Sequence, residues 1–147
     1  MPIMERLNQD LKEAMKDKDS FRLSVVRMLK SSLKNEEINR NKPLSEEEEL
    51  FVLTRELKMR LDSLQEFERA GRKDLIDKAQ REIAIVKSYL PEELSEEELR
   101  QMIQEVISQV GATSKKDMGK VMANLMPKVT GRADGKRVNQ LVQEYLS

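Results

Sequence analysis

The chain has 147 residues, of which 37% are charged and 3% aromatic, and its 27 basic and 27 acidic side chains give no net charge. It contains no cysteine and no histidine, which excludes disulfides and thiolate nucleophiles and removes the commonest general base and metal ligand. We therefore expect no catalytic residue, no metal site and no cofactor. High charge, Leu- and Met-rich apolar positions and few glycines favour an all-α fold.

Apolar residues at helical spacing predict four helices in the first 90 residues, which together form a four-helix bundle-like domain. We place these helices at about residues 3–17, 21–39, 46–69 and 73–89. Asp19 or Ser20 is a plausible cap for the second helix. Ser45 and Glu48 have the spacing of a capping box, and Gly71 is expected to end the third helix. The apolar stripe of the first helix is predicted to contain Met4, Leu7, Leu11, Ala14 and Met15.

Pro91 marks the predicted boundary between two domains, residues 1–90 and 91–147, because proline disfavours helix at the residue before it. A second capping box, Ser95 with Glu98, starts a helix that Gly111 is expected to end. Two shorter helices follow, so the second domain is a small three-helix unit.

Residues 114–137 carry most of the features that differ from a generic helical scaffold. Thr113 or Ser114 is expected to cap a helix, Pro127 to end or bend it, and Asp134 to cap the final helix. Residues 91–110 carry one basic and six acidic side chains, a balance of 1 − 6 = −5. Residues 111–147 carry seven basic and three acidic side chains, a balance of 7 − 3 = +4. This asymmetry is compatible with an anionic partner.

Several short motifs resemble the signature of the GatB/YqeY family, in its stand-alone YqeY branch. They are GKVM at 119–122, GRADG at 131–135, VNQL at 138–141, LPEELS at 90–95 and RELK at 55–58. The resemblance covers essentially the whole chain. A similar motif closes the B subunit of the glutamine-dependent tRNA amidotransferase, where that tail meets tRNA. The amidase subunit and the kinase-like body that hold the family's chemistry are not matched here.

The resemblance implies a phosphate-binding site around the turn at 131–135. The cations expected to meet phosphates are Lys120, Arg132, Lys136, Arg137 and Lys116. Gly131 and Gly135 are expected to shape the turn and Asp134 to cap the last helix, while Gly119 and Ala133 complete the motif. Amides at a helix start attract phosphate, but in the alternative interpretation the glycines only permit the turn and the cations lie on a solvated surface. A Walker A loop is excluded because 131–137 has the wrong spacing and follows a helix.

The function that this pattern favours is a non-catalytic module that binds tRNA or another structured RNA. Five aromatic residues in the whole chain leave little material for stacking single-stranded bases. Two alternatives stay open. The chain is a helical interaction or scaffold protein that binds a protein partner through the long helix around 50–67, or it is an accessory to carbon–nitrogen ligation with glutamine as amido-N-donor.

The location expected from the sequence is cytoplasmic, without membrane association. No apolar run approaches the roughly 20 residues that span a bilayer, and the N-terminus has no secretory apolar region. Acidic residues in the first helix argue against a transit peptide.

Overall fold

A computed structural model describes residues 2–146, and this part of the chain contains seven α-helices and no β-strand. The predicted all-α fold is confirmed. Contacts group the chain into two units, one that runs up to Leu90 and one that starts at Pro91. None of the helices described has the length and apolar character needed to cross a bilayer.

The N-terminal unit consists of four helices whose ends lie within two residues of the predicted ends. They are α1 (Ile3–Lys16), α2 (Ser20–Arg40), α3 (Glu46–Ala70) and α4 (Lys73–Lys87). Asp19 caps α2 by accepting the N–H of Arg22 at 3.1 Å. Both bonds of the capping box between Ser45 and Glu48 are present, and Gly71 ends α3 with a φ of 66°. These local predictions are confirmed.

The core of this unit is built from aliphatic side chains on all four helices. Fully buried members include Leu7, Val26, Leu29, Leu33, Val52, Leu53 and Val86. The prediction that Met15 belongs to the core is wrong, because 55% of this residue is exposed while its neighbour Ala14 is fully buried. One residue turns a helix by about 100°, so Met15 lies at the edge of the stripe that packs.

A largely buried ion pair joins helices of this unit. Glu56 on α3 is 8% exposed and accepts a hydrogen bond from the Ser32 hydroxyl of α2 at 2.7 Å. Arg60 Nη1 donates to the second Glu56 oxygen at 2.8 Å, and its Nε donates to Glu82 of α4 at 3.1 Å. Three helices therefore share one polar network, and a carboxylate that is buried alone would be strongly unfavourable.

The C-terminal unit has three α-helices and one short 3-10 turn. They are α5 (Glu96–Val110), the turn Lys115–Asp117, α6 (Met118–Val129) and α7 (Gly135–Tyr145). The capping box of Ser95 and Glu98 and the left-handed Gly111, φ 67°, are confirmed at the two ends of α5. The core of the unit contains Leu99, Ile103, Val106, Val121, Leu125, Val129, Val138, Leu141, Val142 and Leu146.

Pro127 does not end α6, which continues to Val129, so of the two predicted effects, an end or a bend, the structure excludes the end. A proline inside a helix removes one N–H bond. Two features beyond the proline stabilise the final turn. Val129 is fully buried, and the amide of Thr130 donates to the Met126 carbonyl at 2.9 Å. Tertiary burial therefore outweighs the local preference.

We expect Glu56→Ala to lower the free energy of unfolding by about 1–3 kcal/mol, because the Ser32 hydroxyl and one N–H of Arg60 lose their acceptor while Arg60 keeps Glu82. The matched control is Glu66→Ala on the same helix. It removes an ion pair with Arg69, and the Glu66 side chain is 72% exposed. This control is expected to change stability by less than about 0.5 kcal/mol. Urea unfolding measures both, and equal losses would show that the Glu56 network does not stabilise the unit.

Candidate nucleic-acid interface

The turn between α6 and α7 is tight and depends on one glycine. Gly131 is buried and has a φ of 79°, a backbone conformation that strains any residue with a Cβ. The next two amides, of Arg132 and Ala133, both donate to the carbonyl of Val129, at 2.8 and 3.1 Å. These bonds close the end of α6 and turn the chain towards α7.

This turn is bonded to the segment that precedes α5. The amide of Leu94 donates to the Arg132 carbonyl at 2.8 Å, and the Arg132 Nε donates to the carbonyl of Glu92 at 3.2 Å. Arg132 therefore uses both its backbone and its guanidinium to join two chain segments that lie 40 residues apart.

Arg137, in the first turn of α7, also has a partner within the unit. Its guanidinium donates to Glu96 at the start of α5. The same carboxylate lies 3.4 Å from Arg100, which reaches Glu144 of α7 at 3.3 Å. The hydrogen bond from Arg137 is the main reason that the pKa of Glu96 is lowered. Any phosphate that binds Arg137 would compete with this internal carboxylate.

The start of α7 is capped as predicted, since the Asp134 carboxylate accepts the amide N–H of Lys136 at 3.3 Å. We expected the amides at this helix start to attract a phosphate, but one of them, that of Lys136, already donates to the Asp134 carboxylate. The prediction that Gly135 shapes the turn is wrong. It is the first residue of α7 and has no positive φ, whereas Gly131 does.

The lysines of this unit are placed differently from the two arginines. Lys115, Lys116, Lys120, Lys128 and Lys136 are all exposed, and within residues 2–146 none of them has a carboxylate oxygen within 4.0 Å. Lys116 lies in the 3-10 turn rather than in α6.

The structure does not assemble the five predicted phosphate-binding cations at one place. Arg132 and Arg137 meet the segment that starts α5, whereas Lys120 lies near the opposite end of α6. The nine residues from Lys120 to Val129 correspond to about 14 Å along the helix axis. The motif glycine Gly119 is exposed in the first turn of α6, far from the turn at 131–135 along the helix.

Sequence reasoning missed Glu92 and Glu96 as the partners of the two arginines. The signal was present in the opposite charge balances of residues 91–110 and 111–147. We interpreted that asymmetry as a sign of an external anion, but part of it is satisfied within the unit by the ion pair of Arg137 with Glu96, while Arg132 bonds to a backbone carbonyl.

Comparison with known proteins identifies a family match over nearly the whole chain. The family model described as Yqey-like protein matches residues 4–146. Three curated relatives share the name "Altered inheritance of mitochondria protein 41, mitochondrial". The one from Pyrenophora tritici-repentis is 27% identical, over 98% of this chain and 81% of that protein. Those from Lachancea thermotolerans and Candida glabrata are 39% and 36% identical, over 57% and 61% of this chain.

The match covers 46% and 50% of the Lachancea and Candida proteins, so it spans about half the length of these two relatives. All three relatives carry the word "mitochondrial" in their names. The cytoplasmic location expected from the sequence is wrong by this comparison. That expectation rested on the lack of a long apolar run and on the acidic residues of the first helix, and neither feature reports the location of related proteins.

The two motif glycines offer a matched pair of substitutions. Gly131→Ala is expected to lower the free energy of unfolding by about 1–2 kcal/mol, because alanine is strained at a φ of 79°. Gly135→Ala is expected to be neutral or to stabilise by up to about 1 kcal/mol, since a Cβ there meets nothing within 4 Å and alanine favours helix. Denaturant unfolding compares the two, and a loss at Gly135 equal to that at Gly131 would contradict the assigned turn.

Arg137→Gln is expected to raise the pKa of Glu96 towards its ordinary value, whereas Arg100→Gln, which removes a weaker contribution, raises it less. Because the folded pKa is lowered, the contact contributes stability above the unfolded pKa, and this stability is lost as pH falls through the folded pKa. An NMR titration of the Glu96 side-chain carbonyl measures both shifts. The assignment is contradicted if Arg100→Gln has the larger effect.

Proposed function

The chain belongs to the family of YqeY-like proteins, and from this premise we propose that it is a non-catalytic module that binds structured RNA such as tRNA. The names of its relatives give a mitochondrial setting and no molecular activity. Support for the proposal therefore comes from the surface of the C-terminal unit and from the resemblance of its motif to the tRNA-contacting tail of the amidotransferase.

The observation that carries the proposal is the exposed positive charge of this unit. Residues 111–147 hold seven basic and three acidic side chains, and five of the basic ones are exposed lysines without an ion pair among the described residues. Lysine neutralises phosphates through its charge and releases counterions, which supplies affinity that depends little on base sequence.

The kind of RNA follows from the side chains that the unit lacks. Tyr145 is the one aromatic residue in the described part of this unit, and it lies half-buried under the Arg100 guanidinium, 5.9 Å from its ring centre. Single-stranded binding relies on aromatic platforms on which bases stack. Folded RNA that is recognised by its shape and backbone fits this surface better.

A second candidate, a protein-docking function of the N-terminal unit, is favoured by exposed apolar side chains on α3. Phe51, Met59 and Leu61 are 49%, 56% and 39% exposed. An accessory role in carbon–nitrogen ligation has less support. A hollow of about 270 Å³ lies beside α3 and α4. Its polar groups include Arg60 and Glu82, but these two side chains are bonded to each other and do not face a shared ligand position.

We expect the intact protein to bind bulk tRNA with micromolar affinity that weakens as salt rises. For three phosphate contacts the affinity falls about 40-fold between 50 and 200 mM monovalent salt. Fluorescence anisotropy at several salt concentrations measures the slope, with a neutral polymer of similar size as the control. Absence of tRNA binding at low salt would overturn the proposal and favour the protein-docking function.

A further inference from the structure

The exposed face of α6 has a regular composition. Its exposed positions form two rows with a spacing of four residues, so that each row lies along one side of the helix. One row contains Lys120, Asn124 and Lys128, and the other contains Gly119, Ala123 and Pro127. The two lysines are about 12 Å apart along the axis, and the residues beside them have short side chains.

The charge of this face is distinctive. Among the helices in the described range, α6 is the one without an acidic residue. The Asn124 side chain is folded back, since its Nδ2 donates to the Lys120 carbonyl at 2.8 Å. Asp117, just before the helix, directs its carboxylate to the amides of Thr113 and Ser114, at 2.9 and 3.4 Å. The lysines are thus the most extended charged groups on the face.

Arg132 and Arg137, which lie near the turn between α6 and α7, make contacts within the unit. Arg132 is bonded to the carbonyl of Glu92, and Arg137 to the carboxylate of Glu96. Each guanidinium already has an internal acceptor, with which an external phosphate would have to share its donors. Lys120 and Lys128 have no such competing ion pair among the described residues, so a phosphate meets them without displacing a partner.

We propose that this α6 face, defined by Lys120, Asn124 and Lys128, lies along the phosphate backbone of the bound RNA, while Arg132 and Arg137 act as positioning residues that hold the turn. The inference rests on the proposed function and assigns its contact surface. The two lysines, about 12 Å apart along the helix axis, are spaced to reach separate phosphates of one strand.

A nucleic-acid backbone fits this face better than an acidic protein does. Stable protein interfaces place large aromatic, aliphatic or arginine anchors in pockets at their centre. The exposed apolar positions here are Ala123 and Pro127, which are too small to serve as such anchors. The α6 face can attract a ligand mainly through the positive charges of its two lysines, and a regular row of phosphates matches those charges.

The test compares variants of the full-length protein in binding to bulk tRNA over a series of salt concentrations. The double variant Lys120→Gln with Lys128→Gln is expected to weaken binding at least about tenfold at 100 mM salt and to reduce the salt slope by about two. The matched control, Lys12→Gln with Lys16→Gln, removes two exposed lysines of α1 and the same charge, and is expected to change affinity less than about twofold. Circular dichroism checks that each variant is folded.

The outcomes separate the inference from the proposed function. If the unchanged protein does not bind tRNA at low salt, the proposed function fails and the inference falls with it. If the protein binds and the α6 variant weakens binding no more than the α1 control does, the inference alone is overturned. Competition by poly-glutamate as strong as that by tRNA of equal charge would overturn it in favour of an acidic protein partner.

Discussion

One backbone hydrogen bond, from the amide of Leu94 to the carbonyl of Arg132, joins the start of the C-terminal unit to the turn between its last two helices. Neither group lies inside a helix, so neither has a partner from a regular helical hydrogen-bond ladder. The bond joins the residue before the cap of α5 to the residue after Gly131. It therefore sets the start of α5 against the turn that leads to α7, and it places Glu96 within reach of Arg137.

The basic residues of the unit fall into two groups, those with a hydrogen-bond partner inside the unit and those without an ion pair in the described range. A guanidinium has five donors in a planar fork, which suits Arg132 and Arg137 to bonds with a carbonyl and a carboxylate. Lysine is a compact charge on a flexible stem, and Lys120 and Lys128 stay on the surface without an ion pair in the described range. Residues that stabilise the turn are thus distinct from residues that remain available to an anion, although both contribute to the same local excess of positive charge.

Much of the helical architecture was predictable because its signals are local. Asp19, Ser45, Ser95 and Asp134 each cap a helix through an amide two or three residues away, so composition and spacing suffice to find them. Gly135 was misassigned because two glycines flank the motif, and the sequence does not show which one has the positive φ. The location was also wrong, since the relatives are named mitochondrial. The RNA-binding role and its residues stay predictions.

The sequence by itself determined the fold class and the ends of most helices, because capping and amphipathic spacing act within one or two turns of chain. Only the tertiary structure decided that Pro127 remains inside α6 and that Arg60 bonds to both Glu56 and Glu82. It also decided that Arg132 and Arg137 have hydrogen-bond partners within the unit. Those contacts join residues as far as 41 positions apart. A side chain's partner at such separations depends on how the helices pack, and this packing is a cooperative property of the folded chain that no short segment encodes.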